Sequence, residues 1–183
     1  MTKGSPMRFE SIAILFALLL ASSHPAPAQT VTAVPKLDLN RVMLPWYEIA
    51  GYPVKAQKHC LSDIMVLFAL GDKPNTLQVV TSCKIKGDNS DYWNATGKMG
   101  PAGDGTLRLR HLLILHTNYW VLALGADYEW ALIGSPNHKS LWVLSKAAEL
   151  SPDLLATIEA KAAAQGFDPT KLVKVSQQPV AKM

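Results

Sequence analysis

The chain is short of the residues that most common chemistries need. It has two cysteines, Cys60 and Cys83, in 183 residues. Neither stands at the end of the apolar N-terminal segment, which excludes lipid attachment through an N-terminal cysteine. Charge is sparse, at 17%, and the formal net charge of +4 comes from scattered Lys and Arg. No basic block exists beyond short pairs around Lys84 and Lys86, and Arg108 and Arg110, so a nucleic-acid partner is excluded. The five histidines, His24, His59, His111, His116 and His138, lack zinc-like spacing. His111 and His116 stand five apart on an expected strand, hence on opposite faces. There is no phosphate-cradling glycine loop and no Gly-x-Ser-x-Gly. No cofactor or metal is implied. The apolar run at 12–21 is too short to span a bilayer.

That run does read as part of a targeting segment. Lys3 and Arg8 precede it, and "SSHPAPAQ" follows. Ala26-Pro27-Ala28 supplies small residues at the cleavage positions, so residues 1–28 read as a secretory signal peptide. The rest divides into one domain at 29–179 and a flexible tail at 180–183. The expected location is periplasmic or secreted, and soluble. In an exported chain, two cysteines favour a disulfide.

From residue 46 to 146 the chain is a series of short apolar runs, at 46–50, 64–70, 76–83, 91–98, 106–115, 119–124, 128–134 and 140–146. "GDKPN", "KGDNS", "GPAGDG", "GAD" and "SPNHK" separate them. These clusters supply turn dihedrals. Eight strands with short connections predict an antiparallel meander. Within 106–111, Leu107 and Leu109 face one way, Arg108 and Arg110 the other. Runs 64–70, 120–124 and 141–144 are apolar on both faces, so each needs cover on both. One helix follows: Ser151 is its N-cap, Pro152 its first residue, Asp153 suits its dipole and Gly166 stops it. "LVKV" at 172–175 is a candidate ninth strand, and "SQQPVAKM" reads as a free tail. The fold class is all-β: an eight-stranded antiparallel up-and-down barrel with a C-terminal α-helix packed outside. A β-sandwich is the structural alternative. Such a barrel holds one small ligand.

Three motifs then carry a resemblance. "LPWYEIAGYP" at 44–53 resembles the first signature of the lipocalins, "GADYEWALIGSP" at 125–136 the second, and "LWVLSK" at 141–146 the third. With "GFDPTKLV", the match is to the bacterial lipocalin and apolipoprotein D branch, over roughly residues 37–179. Two positions depart from it. Leu44 and Pro45 stand where the first signature has its glycine and the residue before Trp46, and Lys146 replaces an arginine. The resemblance implies that Trp46 plugs a barrel floor with Lys146 across it. It also implies a carrier of a small hydrophobic ligand, such as a fatty acid or lysophospholipid.

Strand parity then nominates the cavity. If Trp46 faces inward, so does Glu48, a carboxylate that is costly inside an apolar barrel unless paired, hydrated or protonated. Glu48 is a candidate to meet the polar head of an otherwise apolar ligand; the alternative is that it pairs with a barrel Lys or Arg. Trp142 and Leu144 share the parity of Lys146. Ile64, Val66 and Phe68 share a face of the second strand, leaving Met65, Leu67 and Ala69 outward. That outward strip makes a membrane surface or a second copy further candidate partners. His116 and Tyr119 are placed near the mouth, to hydrogen-bond a ligand head. Pairing Leu70 with Thr76 brings Cys60 close to Cys83, with a bulge setting the register. The alternative to a carrier is an enzyme acting on an apolar molecule in the same cavity, which would use a free Cys60 or Cys83.

Overall fold

The computed structural model describes Met1 and residues 29–87, 89–100, 103–110 and 116–178. Apart from Met1, the expected leader lies outside the described residues, as do the expected tail at 180–183 and the segment 111–115 of the fifth run.

Eight strands close a barrel: β1 (Pro45–Gly51), β2 (Ser62–Leu70), β3 (Thr76–Lys84), β4 (Ser90–Met99), β5 (Thr106–Arg110), β6 (His116–Leu124), β7 (Trp130–Gly134) and β8 (Leu141–Ser145). Each pairs antiparallel with its sequence neighbour, and β1 closes the ring against β8 and β2. Tyr128 does not join β7 as expected. It sits in the preceding turn with φ 57°, between Gly125 and the strand. The connection between β2 and β3 is also shifted by one residue: Leu70 faces Leu77, not Thr76. Thr76 is instead held by the turn, where its hydroxyl donates to the Lys73 carbonyl.

The short helix α1 (Leu39–Val42) closes one end. Asp38 caps it by accepting from the Asn40 amide at 3.0 Å. α2 (Pro152–Ala163) is capped by Ser151, whose hydroxyl accepts from the Leu154 amide. Its apolar stripe of Leu155, Ile158 and Ala162 packs on Ile49, Leu122, Leu132, Leu141 and Val143. The helix thus covers the outer faces of β6, β7, β8 and β1. The outer face of β2 receives no such cover: Leu67 is 39% exposed.

β1 is shared among three strands. Its first residues pair with β2, from Trp46↔Val66 to Tyr47↔Met65, and later ones pair with β8. At its far end Ala50 and Gly51 also pair with β9 (Val173–Lys174). The chain beyond β9 fills the seam that opens there between β1 and β2. The Asp63 amide donates to the Ser176 carbonyl, the Gln178 amide to the Asp63 carboxylate, and Gln177 Nε2 to the carbonyls of Glu48 and Ile64. Residues 176–178 are therefore wall, not the free tail expected of "SQQPVAKM". Their backbone groups find partners that the splayed strands leave unused.

Cys60 and Cys83 form a disulfide, with Cα atoms 5.6 Å apart. Pairing slips between Ser62 and Met65, where Asp63 has φ 54°. That extra residue draws the chain before β2 back toward the end of β3. The bond closes a loop of sequence separation 23, worth about 3 kcal/mol in the chain-entropy account. Replacing both cysteines by serine should lower unfolding free energy by about 2–4 kcal/mol. Urea unfolding of the double variant beside the oxidised parent checks this. An unchanged midpoint would show that the wall and seam hold the loop without the bond.

Candidate functional site

The two ends of the barrel are built differently. At the closed end Trp46 is 1% exposed, and its indole Nε1 donates to the Val42 carbonyl at 2.9 Å. Lys146 Nζ lies 5.3 Å from the Trp46 ring centroid, within cation–π range. Arg41 of α1 stacks its guanidinium 4.3 Å from the Tyr128 ring and reaches Asp127 at 3.4 Å. Leu44 and Pro45, the departures at the first signature, mark the turn from α1 into β1.

Above this floor lies a cavity of about 200 Å³. Its walls take alternate residues from successive strands: Val66 and Phe68, Val79 and Thr81, Trp93 and Ala95, Leu107 and Leu109, Tyr119, Ile133, and Trp142 with Leu144. Leu107 and Leu109 face in while Arg108 and Arg110 are exposed, as the alternation implied. The open end is covered by the 52–61 connection, which contributes Val54, Ala56 and Gln57. Gln57 closes the 3₁₀ turn Lys55–Gln57.

Glu48 lines this cavity and is 2% exposed. Its partner is neither lysine nor arginine. Gln57 Nε2 donates to Oε2 at 2.6 Å, and no ion pair among the described residues includes Glu48. Burial raises its pKa from 4.5 to about 7, because desolvation penalises the charged form more than the Gln57 hydrogen bond stabilises it. Close by, a Cβ on Gly51 would lie 2.6 Å from both Glu48 Oε1 and Trp142 Cδ1. Only glycine leaves room there for the carboxyl and the indole. Tyr119 meets the Trp142 ring edge-on with centroids 5.0 Å apart, and burial raises its hydroxyl pKa.

Of the eight residues nominated for the ligand, Glu48, Val66, Phe68, Tyr119, Trp142 and Leu144 are brought together here. Ile64 is buried but outside the lining, in the stretch where the slip between Ser62 and Met65 breaks strict alternation. His116 is exposed, opposite Arg110 at the start of β6. It stands three residues from Tyr119, and residues three apart on a strand face opposite ways. Parity could also have found Val79, Thr81, Trp93 and Ala95 once Leu77 was placed inside. Nothing in the local pattern announces Gln57, which comes from a loop.

The raised pKa has a sign that can be checked. Below pH 4.5 Glu48 is neutral in both folded and unfolded chains. As pH rises, the unfolded chain ionises first, so stability falls until the folded chain ionises too, near pH 7. That difference corresponds to about 3 kcal/mol. Denaturant unfolding at pH 5 and pH 8 should show the loss, and Glu48→Gln should remove most of it. An equal pH dependence in the variant would show that other groups cause it.

A lipocalin-like domain model matches residues 37–177. Outer membrane lipoprotein Blc of Citrobacter freundii is 31% identical over 166 residues, covering 87% of this chain and 90% of that protein. Temperature-induced lipocalin-1 of Arabidopsis thaliana is 29% identical over 149 residues, 77% of this chain and 80% of that one. Among solved structures, insecticyanin from the tobacco hornworm Manduca sexta superposes with a TM-score of 0.64 at 19% identity, over 85% and 89% of the two chains. The barrel, its floor and these matches agree: the chain belongs to the lipocalin family, whose members bind small hydrophobic ligands.

Proposed function

We propose that this chain is an exported carrier that binds one small hydrophobic ligand in the barrel and transports or stores it. The ligand class is a fatty acid, a lysophospholipid or a similar single-chain lipid. The observation that carries the reading is the cavity itself, enclosed mostly by aliphatic and aromatic side chains, with Glu48 as the single carboxyl among the described residues of its lining. At about 200 Å³ it is smaller than the ~300–1,000 Å³ usual for drug-sized ligands. A slender chain suits it better than a broad ring system. Each methylene buried there gains about 0.8 kcal/mol before the costs of association.

The disulfide supports an oxidising compartment, the periplasm or the exterior. No helix among the described residues is long and apolar enough to cross a membrane. The enzyme alternative loses its best nucleophile, because Cys60 and Cys83 are bonded to each other.

Native mass spectrometry of the protein purified from its own cell envelope, with solvent extraction of the bound material, tests the reading. One lipid per chain is expected. An empty barrel that also takes up no added acyl ligand would overturn it.

A further inference from the structure

We infer that Glu48 makes this cavity selective for single-chain lipids whose head donates a hydrogen bond, a hydroxyl or an amine, and against those that end in a free carboxylate. The inference rests on the carrier reading and narrows its ligand class, ranking lysolipids and other donor-headed chains above the fatty acids that the carrier reading also admits.

The geometry supports it in three steps. First, among the described residues the lining holds no Lys, Arg or His, so no cation there pairs with a ligand's negative charge. Second, Gln57 occupies only one carboxyl oxygen of Glu48. Oε1 has no hydrogen-bond partner among the described residues, and it lies where a Cβ on Gly51 would clash, beside the Trp142 indole. An oxygen with unused lone pairs in an apolar cavity gains most from a ligand donor. Third, a carboxylate placed near it would put two like charges in a poorly solvated space, where one must take up a proton. A hydroxyl or ammonium head meets no such penalty. The protein's formal charge of +4 acts the other way, drawing anions in from solution. A preference for donor heads would therefore have to come from the cavity.

Decan-1-ol, decylamine and decanoate share one chain length and differ in the head. Their binding to the delipidated chain is measured by titration calorimetry at pH 8, where Glu48 is mostly ionised. Decylamine and decan-1-ol are expected to bind at least tenfold more tightly than decanoate. Glu48→Gln keeps an acceptor for Gln57 and removes the charge, and should bring amine and carboxylate within about threefold of each other. Decanoate binding as well as decylamine to the parent chain would overturn the inference, and so would a gap that survives in Glu48→Gln. The parent ranking decides the matter even where the variant folds poorly. Failure of all three ligands to bind is a different result, and would count against the carrier reading itself.

Discussion

The barrel depends on one irregularity in β1. Between Glu48 and Ala50 the pairing with β8 slips by a residue. Before the slip, Trp46 and Glu48 face the interior. After it, Ile49 and Ala50 pack under α2, and Gly51 stands against the cavity. A regular strand alternates without exception, and would have carried every even position inward. The bulge lets a seven-residue strand plug the floor, present a carboxyl to the cavity and seat the helix. It also bends β1 away from β2, in keeping with the strong local twist of bulged strands. The seam so opened is what residues 173–178 fill.

Glu48 is costly to fold around. Its burial in a site without a cationic partner destabilises the ionised chain at neutral pH. A well-packed apolar residue would serve stability better, and local violations of that kind mark functional positions in many proteins. The surroundings are consistent with this. Gly51 gives up a side chain to make room, and Gln57 is brought in from a loop to satisfy one oxygen. Gln177 holds the Glu48 carbonyl from the opposite side of the wall, so the strand is fixed where the carboxyl is. Backbone and side chain are thus positioned by separate segments distant in sequence.

Much of this was legible in the residues. Turn clusters marked the strands, and parity from Trp46 and Lys146 placed Glu48, Trp142 and Leu144 on one wall. The helix start followed from Ser151 and Pro152 because capping is local chemistry. What escaped was non-local or irregular. The shift from Leu70–Thr76 to Leu70–Leu77 goes with the turn's use of the Thr76 hydroxyl, whereas the bulge expected to bring Cys60 into register does occur, at Asp63. The seam filled by Ser176, Gln177 and Gln178 exists only because β1 diverges from β2, which no pattern in "SQQPVAKM" encodes. Gln57 meets Glu48 from a loop, where no strand parity applies. The outward face of β2 is a different case. Its apolar pattern implied cover, and α2 lies over other strands, so Leu67 and its neighbours stay partly exposed.

The contrast between the two ends sets which of them yields more readily. Opening the floor means unpacking a fully buried tryptophan, at about 3–5 kcal/mol for the loss of such a side chain. The Val42 hydrogen bond, the Lys146 contact and the Arg41–Tyr128 stack would go with it. Opening the other end means lifting Gln57 from Glu48, a charge-assisted bond of about 1.5–3 kcal/mol net when the carboxyl is ionised, and closer to 1 kcal/mol when it is neutral. The disulfide limits how far that loop can travel, because Cys60 is anchored only three residues beyond Gln57. The protonation state of one carboxyl therefore enters both the charge of the cavity and the hold on its cover. The same proton that relieves the cost of burying Glu48 weakens the side-chain hydrogen bond that ties the covering loop to the wall.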